Sequence, residues 1–416
     1  MTRRYVVPGR VELVGKHVDY AGGRSLTCAV DLAISARATR LDEAVLRVRD
    51  ESERGVVEVP LFADAERAHD SPNWSSYVLA VARRFARDFP HARVGVDVRL
   101  TSTLPRSAGL SSSSALVVAL ATALVDANDM EQRAEWNAVI PDLVARAEYF
   151  GAMETGAPYG PFPGDAGVGV RGGAQDHVAI VCAAEESVGQ FSYLPARLER
   201  RVPWPSELSI LIGVSGVKAT KTGNARARYN RVADSTRALV GAWNAATSRT
   251  DVTLADALAS GPDAAARLSE LAEQGTADFP ASYLVPRLAQ FREETERIVP
   301  GVGDALRNRD LSALGTLVDR SMQMAVTGLG NQVPETIFLV QSARALGAVA
   351  ASAFGAGFGG AVWAMVTASA ARDVLAEWKA RYAEGFPAHA DDAQWIVTRP
   401  GGPARTEEGA DPEPSY

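Results

Sequence analysis

Between residues 94 and 128 the chain has little choice but to form a strand, a turn of very small residues and a helix, in that order. Val94, Val96, Val98 and Leu100 alternate with polar or small neighbours, which is the period-two pattern of a half-buried strand. There follows TSTLPRSAGLSSSSALVVALATALVDAN, in which Pro105, Gly109 and the serines Ser111 to Ser114 precede an Ala/Leu/Val-rich helical stretch ending near Asn128. Backbone N–H groups at such a helix start, flanked by side chains too small to block approach, can cradle phosphate oxygens. The hydroxyls can add donors or a magnesium ligand. The same run also fits a serine-rich helix cap with no ligand, and no Walker-type lysine follows it.

The remainder of the chain must be organised around this unit. Its 416 residues exceed what one core usually organises, so two domains with a cleft between them are expected. With 47% hydrophobic and 22% charged residues, the composition supplies two sizeable cores and excludes wholesale disorder. The formal net charge is −7, and Lys and Arg are spread along the chain, so nucleic acid is not an expected partner. Cys28 and Cys182 show no metal-ligand spacing and fit buried thiols in a reducing compartment. The N-terminal MTRRYVVPGR lacks an apolar signal region, and the longest apolar run, Ala115 to Val125, is too short for a membrane span. A cytoplasmic protein with no membrane partner is expected.

Residues Gly151 to Gly173 carry eight glycines and three prolines and read as a long loop folded against a site, followed by a strand from His177 to Cys182. Glu207 to Val217 reads as another strand. From Lys218 to about Leu346 the chain reads as a bundle of short helices, punctuated by Gly261, Pro262, Pro280 and Pro300. Val349 to Val397 reads as loop, strand, helix and strand, and residues 401–416 as a disordered acidic tail.

Near the N-terminus, Pro8-Gly9-Arg10-Val11-Glu12-Leu13-Val14-Gly15-Lys16-His17-Val18-Asp19-Tyr20-Ala21-Gly22-Gly23 is dense in groups that can hydrogen-bond sugar hydroxyls. A surface hairpin with solvated charges would use the same residues. This segment, the serine loop and Ala353-Phe354-Gly355-Ala356-Gly357-Phe358-Gly359-Gly360 together resemble the three ordered motifs of the GHMP kinase superfamily. The first resembles the galactokinase signature in particular. Asn73-Trp74-Ser-Ser-Tyr77-Val78, Tyr229-Asn230 and Gly172-Gly173-Ala174-Gln175-Asp176-His177 are similar to further galactokinase segments.

The resemblance implies an α+β chain with the two-domain GHMP kinase fold. Residues 1–205 would form a domain like domain 2 of ribosomal protein S5, and residues 206–400 a ferredoxin-like domain. It implies ATP and Mg2+ as cofactors and a small sugar as substrate, phosphorylated on its anomeric hydroxyl. By that similarity Asp176 and Arg10 form the catalytic pair, and Lys16, His17, Asp19, Gly173 and Tyr229 bind sugar. Pro105, Gly109, Leu110, Ser111, Ser112, Ser113, Ser114, Ala115 and Gly357 bind ATP, while Ser113 and Glu148 hold magnesium. A proton-accepting aspartate beside an arginine suits phosphoryl transfer on chemical grounds as well. Asp176 capping the element that follows it is the bland reading of that residue.

The chain departs from the signature at two places: Glu12 stands where the family has asparagine, and Lys16 where it has the glutamate facing C6 of the sugar. Either Lys16 is paired internally, with Glu12 or another acid, or the substrate carries a carboxylate at C6, as galacturonate does. Ser107 replaces a frequent glycine, the Tyr229 region needs a short insertion, and Glu148 lies further from Asp176 than is usual. A non-catalytic sugar and nucleotide sensor on the same fold, or a non-enzymatic scaffold, are the alternatives outside enzymology.

Overall fold

In the computed structural model the strands fall into two sheets, and the cleft between them is what the fold positions. Residues 2–52, 55–62, 64–65, 74–105, 108–217 and 224–408 are described. Asn73 and Ser107, both singled out above, lie outside them, as do residues 409–416.

The first sheet contains β1 (Thr2–Val14), β2 (Arg24–Leu41), β3 (Val45–Asp50), β4 (Val56–Pro60), β5 (Gly95–Ser102), β6 (Ser187–Ser192) and β7 (Arg197–Pro203). The second contains β8 (Leu208–Val214), β9 (Ala350–Phe354), β10 (Ala361–Thr367) and β11 (Gln394–Thr398), in the order β11-β8-β10-β9. A last strand, β12 (Arg405–Glu408), returns to the first sheet, whose order is β12-β1-β2-β5-β3-β4, with β6 joining β2 to β7. Among the described residues only the β3–β5 pairing is parallel. β2 is long enough to serve two partners, β5 along Ile34–Leu41 and β6 along Arg24–Thr27. Facing it, β1 shifts register between Pro8 and Arg10 and again between Glu12 and Val14. Such bulges re-aim side chains. Here Val11 and Leu13 enter the core while Arg10 and Glu12 face the cleft.

Against the first sheet pack α1 (Ser75–Asp88), α2 (Ser112–Ala127), α3 (Ala134–Val139), α4 (Leu143–Thr155) and α5 (Gln175–Val181). α2 is apolar nearly all round and is correspondingly buried nearly all round. The helical layer is α6 (Asn224–Thr247), α7 (Leu254–Ala259), α8 (Ala264–Gln274), α9 (Ala281–Glu293), a π-helical turn Glu294–Ile298, α10 (Val299–Asn308), α11 (Leu311–Met324) and α12 (Pro334–Ala345). α13 (Ala371–Gly385) covers the second sheet. β8 and β10 alternate between two cores: Ile210, Ile212, Trp363 and Met365 join the core of the first sheet, while Leu211, Val362 and Ala364 pack with Trp378 and Tyr382. One apolar core thus runs through both sheets. Val18, Tyr20 and Ala21 instead pack into the core of α6–α9.

Four sequence readings need correcting. His177 to Cys182 lies in helix α5 rather than a strand, because a short apolar run bounded by polar residues suits either element. Gly151 is inside α4, so the loop begins only at Gly156, the left-handed helix cap. Ala350 to Phe354 is the fully buried strand β9, not a loop. Residues 405–408 of the supposed tail form β12, whose backbone pairs with Arg3 to Val6.

Candidate active site

The turn between β1 and β2, the start of α2, the start of α5 and the β9–β10 loop converge on one cleft of about 540 Å3. Arg10, 3% exposed, projects from β1 and donates from Nε to Asp176 Oδ1 at 2.7 Å, with Nη2 2.6 Å from the same oxygen. Its Nη1 donates to the carbonyl of Gly109, and its backbone N–H to Leu110 O at 3.2 Å. One guanidinium therefore ties Asp176 to the serine loop. Charge-assisted bonds of this kind hold a carboxylate ionised and oriented. Asp176 sits in the first turn of α5 with about a fifth of its side chain exposed to the cleft.

Gln175 organises the carboxyls beside this pair. Its Nε2 donates to Glu12 Oε2 at 2.6 Å and its backbone N–H to Asp19 Oδ2 at 3.3 Å. Burial pushes the Glu12 carboxyl up to about 7, against the opposing pull of Lys16 and Arg10. Burial, with the Asp176 charge adding to it, pushes Asp19 up to about 6. Gly173 can be nothing larger, since a Cβ there would lie 2.4 Å from Asp19 Oδ2. His17 adopts φ 56°, with Nδ1 3.1 Å from Tyr20 Oη and Nε2 3.1 Å from Ala356 O. Tyr229 stands 5.1 Å from the His17 ring and lines the same end of the cleft.

At the other end Gly109 and Ser111 to Ser114 line the cleft. Ser111 precedes α2 in the left-handed region, φ 59°, and its buried hydroxyl has no hydrogen-bond partner among the described residues. Gly357, at φ +79°, also lines the cleft, and a Cβ there would lie 2.5 Å from Asn331. Pro105, Leu110 and Ala115 do not line it; all three are buried, Leu110 and Ala115 in the core of the first sheet. Beyond the loop Ile34, Trp74, Tyr77, Leu100 and Leu104 form an apolar wall suited to a flat ring system.

Two assignments change. Glu148 lies away from the cleft, where its Oε1 accepts from Ala196 N at 2.5 Å. The acid facing the serine loop is Glu154, six residues along the same helix, whose Oε2 accepts from Ser114 Oγ at 2.8 Å. His177 Nε2 lies 3.1 Å from that oxygen without hydrogen-bond geometry. Lys16 does not line the cleft at all. It is 1% exposed, and its Nζ donates to Ser321 Oγ at 2.9 Å, which in turn donates to Glu294 Oε1 at 2.8 Å. Its charge is taken up by the acids of the interior, so the motive for a C6 carboxylate falls away.

Among the described residues no group of three or more His, Cys, Asp or Glu could hold a metal ion. Ser113 and Glu154 at the loop nevertheless offer the few hard oxygens that magnesium uses when nucleotide phosphates supply the rest. No helix among the described residues is long and apolar enough to cross a membrane. Sequence reasoning missed Glu154, and also Arg287, Gln290 and Glu294, which grip the β1–β2 turn from behind. No motif marks these last three.

Comparison with known proteins adds an independent line. Residues 3–40 match the galactokinase galactose-binding signature, residues 76–160 the GHMP kinases N terminal domain and residues 304–384 the GHMP kinases C terminal domain. The chain is 28% identical over 373 residues to a galactokinase of Streptomyces coelicolor, spanning 88% of this chain and 84% of that one. To a galactokinase of Pyrococcus furiosus it is 26% identical over 385 residues, 90% and 95% of the two chains. The structure of Lactococcus lactis galactokinase complexed with galactose superposes with a TM-score of 0.76 at 18% identity, over 97% of this chain and 95% of the other. Mevalonate kinase of L. major, in complex with R-mevalonate, superposes at 0.57 with 16% identity over 96% of each chain.

Proposed function

Since the chain belongs to the GHMP kinases and is a sugar kinase of the galactokinase type, we propose that it transfers the γ-phosphoryl group of ATP to the anomeric hydroxyl of galactose or a similar neutral aldose. The observation that carries this reading is the Arg10–Asp176 pair, which joins the sugar end of the cleft to the serine loop. Asp176 accepts the proton of the anomeric hydroxyl as its oxygen attacks phosphorus. The bond from the γ-phosphorus to the β,γ-bridging oxygen breaks, and ADP leaves with the electron pair. No covalent enzyme intermediate is needed. Arg10 orients Asp176 and offsets charge on the transferred group.

Gly109 and Ser111 to Ser114 bear on the phosphates through backbone N–H groups and hydroxyls. Ser113 and Glu154 would hold Mg2+, which neutralises phosphate charge when bound. His17, Asp19, Gly173 and Tyr229 surround the sugar. Glu12 and Asp19 line that end while Lys16 is engaged elsewhere, so a neutral sugar is favoured over a uronate.

The test is an ADP-release screen over galactose, galacturonate, N-acetylgalactosamine, arabinose and glucose, with the phosphorylated position read by NMR. Galactose or another neutral sugar should be converted to its 1-phosphate. Asp176→Asn should lower kcat about 100-fold or more while Mg·ATP still binds by calorimetry. A variant retaining most of its rate would remove Asp176 from the chemistry.

A further inference from the structure

The turn that presents His17 and Asp19 to the cleft is held from outside the cleft by one face of α9 and the π-helical turn that follows it. Arg287, Gln290 and Glu294 are spaced i, i+3, i+7, so they project from one side of a helix. Each grips the backbone of the turn. Arg287 Nη2 donates to His17 O at 2.7 Å, and Gln290 Nε2 donates to Lys16 O at 2.9 Å. Glu294 Oε1 accepts from the N–H groups of Gly15 at 2.8 Å and Lys16 at 3.2 Å. Arg287 and Gln290 are also hydrogen-bonded to each other, and all three side chains are fully buried. The π-helical turn begins at Glu294 itself, a local widening of the kind that re-aims side chains at functional sites.

Two features of the turn need such support. His17 takes a left-handed backbone conformation that non-glycine residues rarely keep unless their surroundings over-determine it. Its ring direction is then set between Tyr20 Oη and Ala356 O. Lys16 brings a cation into the interior, where the Ser321 hydroxyl links it to Glu294.

We propose that Arg287, Gln290 and Glu294 are positioning residues for the sugar end of the cleft, with Lys16 as the counter-ion of this clamp rather than a contact to substrate. The inference rests on the sugar-kinase reading for its kinetic consequence, but not for its structural one. None of the three lines the cleft, so they act on acceptor binding only through His17 and Asp19. The serine loop receives none of their hydrogen bonds, so nucleotide binding is insulated from them.

The experiment pairs hydrogen exchange with steady-state kinetics on the full chain. In Glu294→Ala, amide exchange in a peptide covering residues 15–19 should rise at least tenfold, with no change in one covering residues 109–114. The KM for the best sugar found should rise tenfold or more while that for ATP stays within about twofold, and Glu294→Gln, which keeps one acceptor oxygen but not the charge facing Lys16, should recover part of the loss. Gln290→Ala removes the partner of Lys16 O and the acceptor of Arg287 Nη1 but leaves Glu294 in place, and should show the same pattern more weakly, which keeps the test available if Glu294→Ala does not fold. Unchanged exchange at residues 15–19, or sugar and ATP constants rising together, would overturn the clamp. If the wild-type chain turns over no sugar at all, the sugar-kinase reading fails, and the exchange comparison alone decides the clamp.

Discussion

The two ends of the cleft are built on opposite plans. At the proposed phosphate end the working groups are backbone N–H groups and short hydroxyls, set by the start of α2 and by glycines; Ser111, Ser112 and Ser113 all line the cleft there. At the proposed sugar end the charged side chains and the turn are held by partners far away in sequence: Arg10 by Asp176, Glu12 by Gln175, and the His17 turn by Arg287, Gln290 and Glu294. Under the proposed function the difference follows from the ligands. Phosphate oxygens are charged and alike, so any convergent set of donors serves. Hydroxyls on a neutral ring are told apart only by direction, and direction requires side chains that cannot turn.

The contrast is most severely tested at Lys16. Lys16→Glu would bring a third acid beside Glu12 and Glu294 in the interior, and should destabilise the chain by about 3 kcal/mol or more in denaturant unfolding. Adding Glu294→Gln should restore part of that loss. A stable Lys16→Glu protein whose only change is its sugar preference would mean that Lys16 faces substrate after all.

At the opposite end the disturbance should be smaller and should fall on nucleotide. Gly109 has φ +78°, and a Cβ there would lie 3.4 Å from the backbone oxygen of Phe354, which lines the cleft as Gly109 does. Gly109→Val combines backbone strain of about 1–2 kcal/mol with lost space, so the KM for ATP should rise about tenfold with little change for sugar. Equal effects on both constants would erase the distinction between the ends.

The smallest expected effect is one of pH. Burial raises Glu12 to about 7 and Asp19 to about 6, above their unfolded values. The folded chain therefore binds more protons than the unfolded one between about pH 4 and 7, and these groups cost stability increasingly as pH rises through that window. Glu12→Gln, which keeps an acceptor for Gln175, should raise Tm by about 2 °C at pH 8 and by nothing measurable at pH 4.5. An equal gain at both pH values would assign the effect to packing rather than to charge.

Much of this was legible in the sequence, because the phosphate end is written locally: alternation over Val94 to Leu100, then small residues, then an apolar helix. The order of the three motifs and the placing of Arg10, Asp176, His17 and Asp19 in the cleft were legible too. What was not legible depended on rotation about an element or on distant partners. Glu148 and Glu154 are six residues apart, about one and two-thirds helical turns, so they look in different directions, and only the packing of α4 says which faces the loop. Lys16 follows Gly15 at φ +104° and precedes His17 at φ 56°, so the alternation of β1 no longer says where it points. α9 gave no signal, because its polar contacts are to backbone and depend on no recognisable partner sequence.

The single core that runs through both sheets has a consequence for how such chains can diversify. Ile210, Trp363 and Met365 share that core with Val11 and Leu13, while Val18 and Tyr20 are buried among helices encoded more than 200 residues later. A chimera joined near residue 205 would carry the sugar-binding turn of one parent and the helical bed of another, and every such join would have to recombine two mismatched interiors. Acceptor preference is therefore not a module that can be cut out and exchanged. It must drift by paired changes on the two sides of the turn, and the lysine at position 16 facing the acid at 294 is the form such a pair would take.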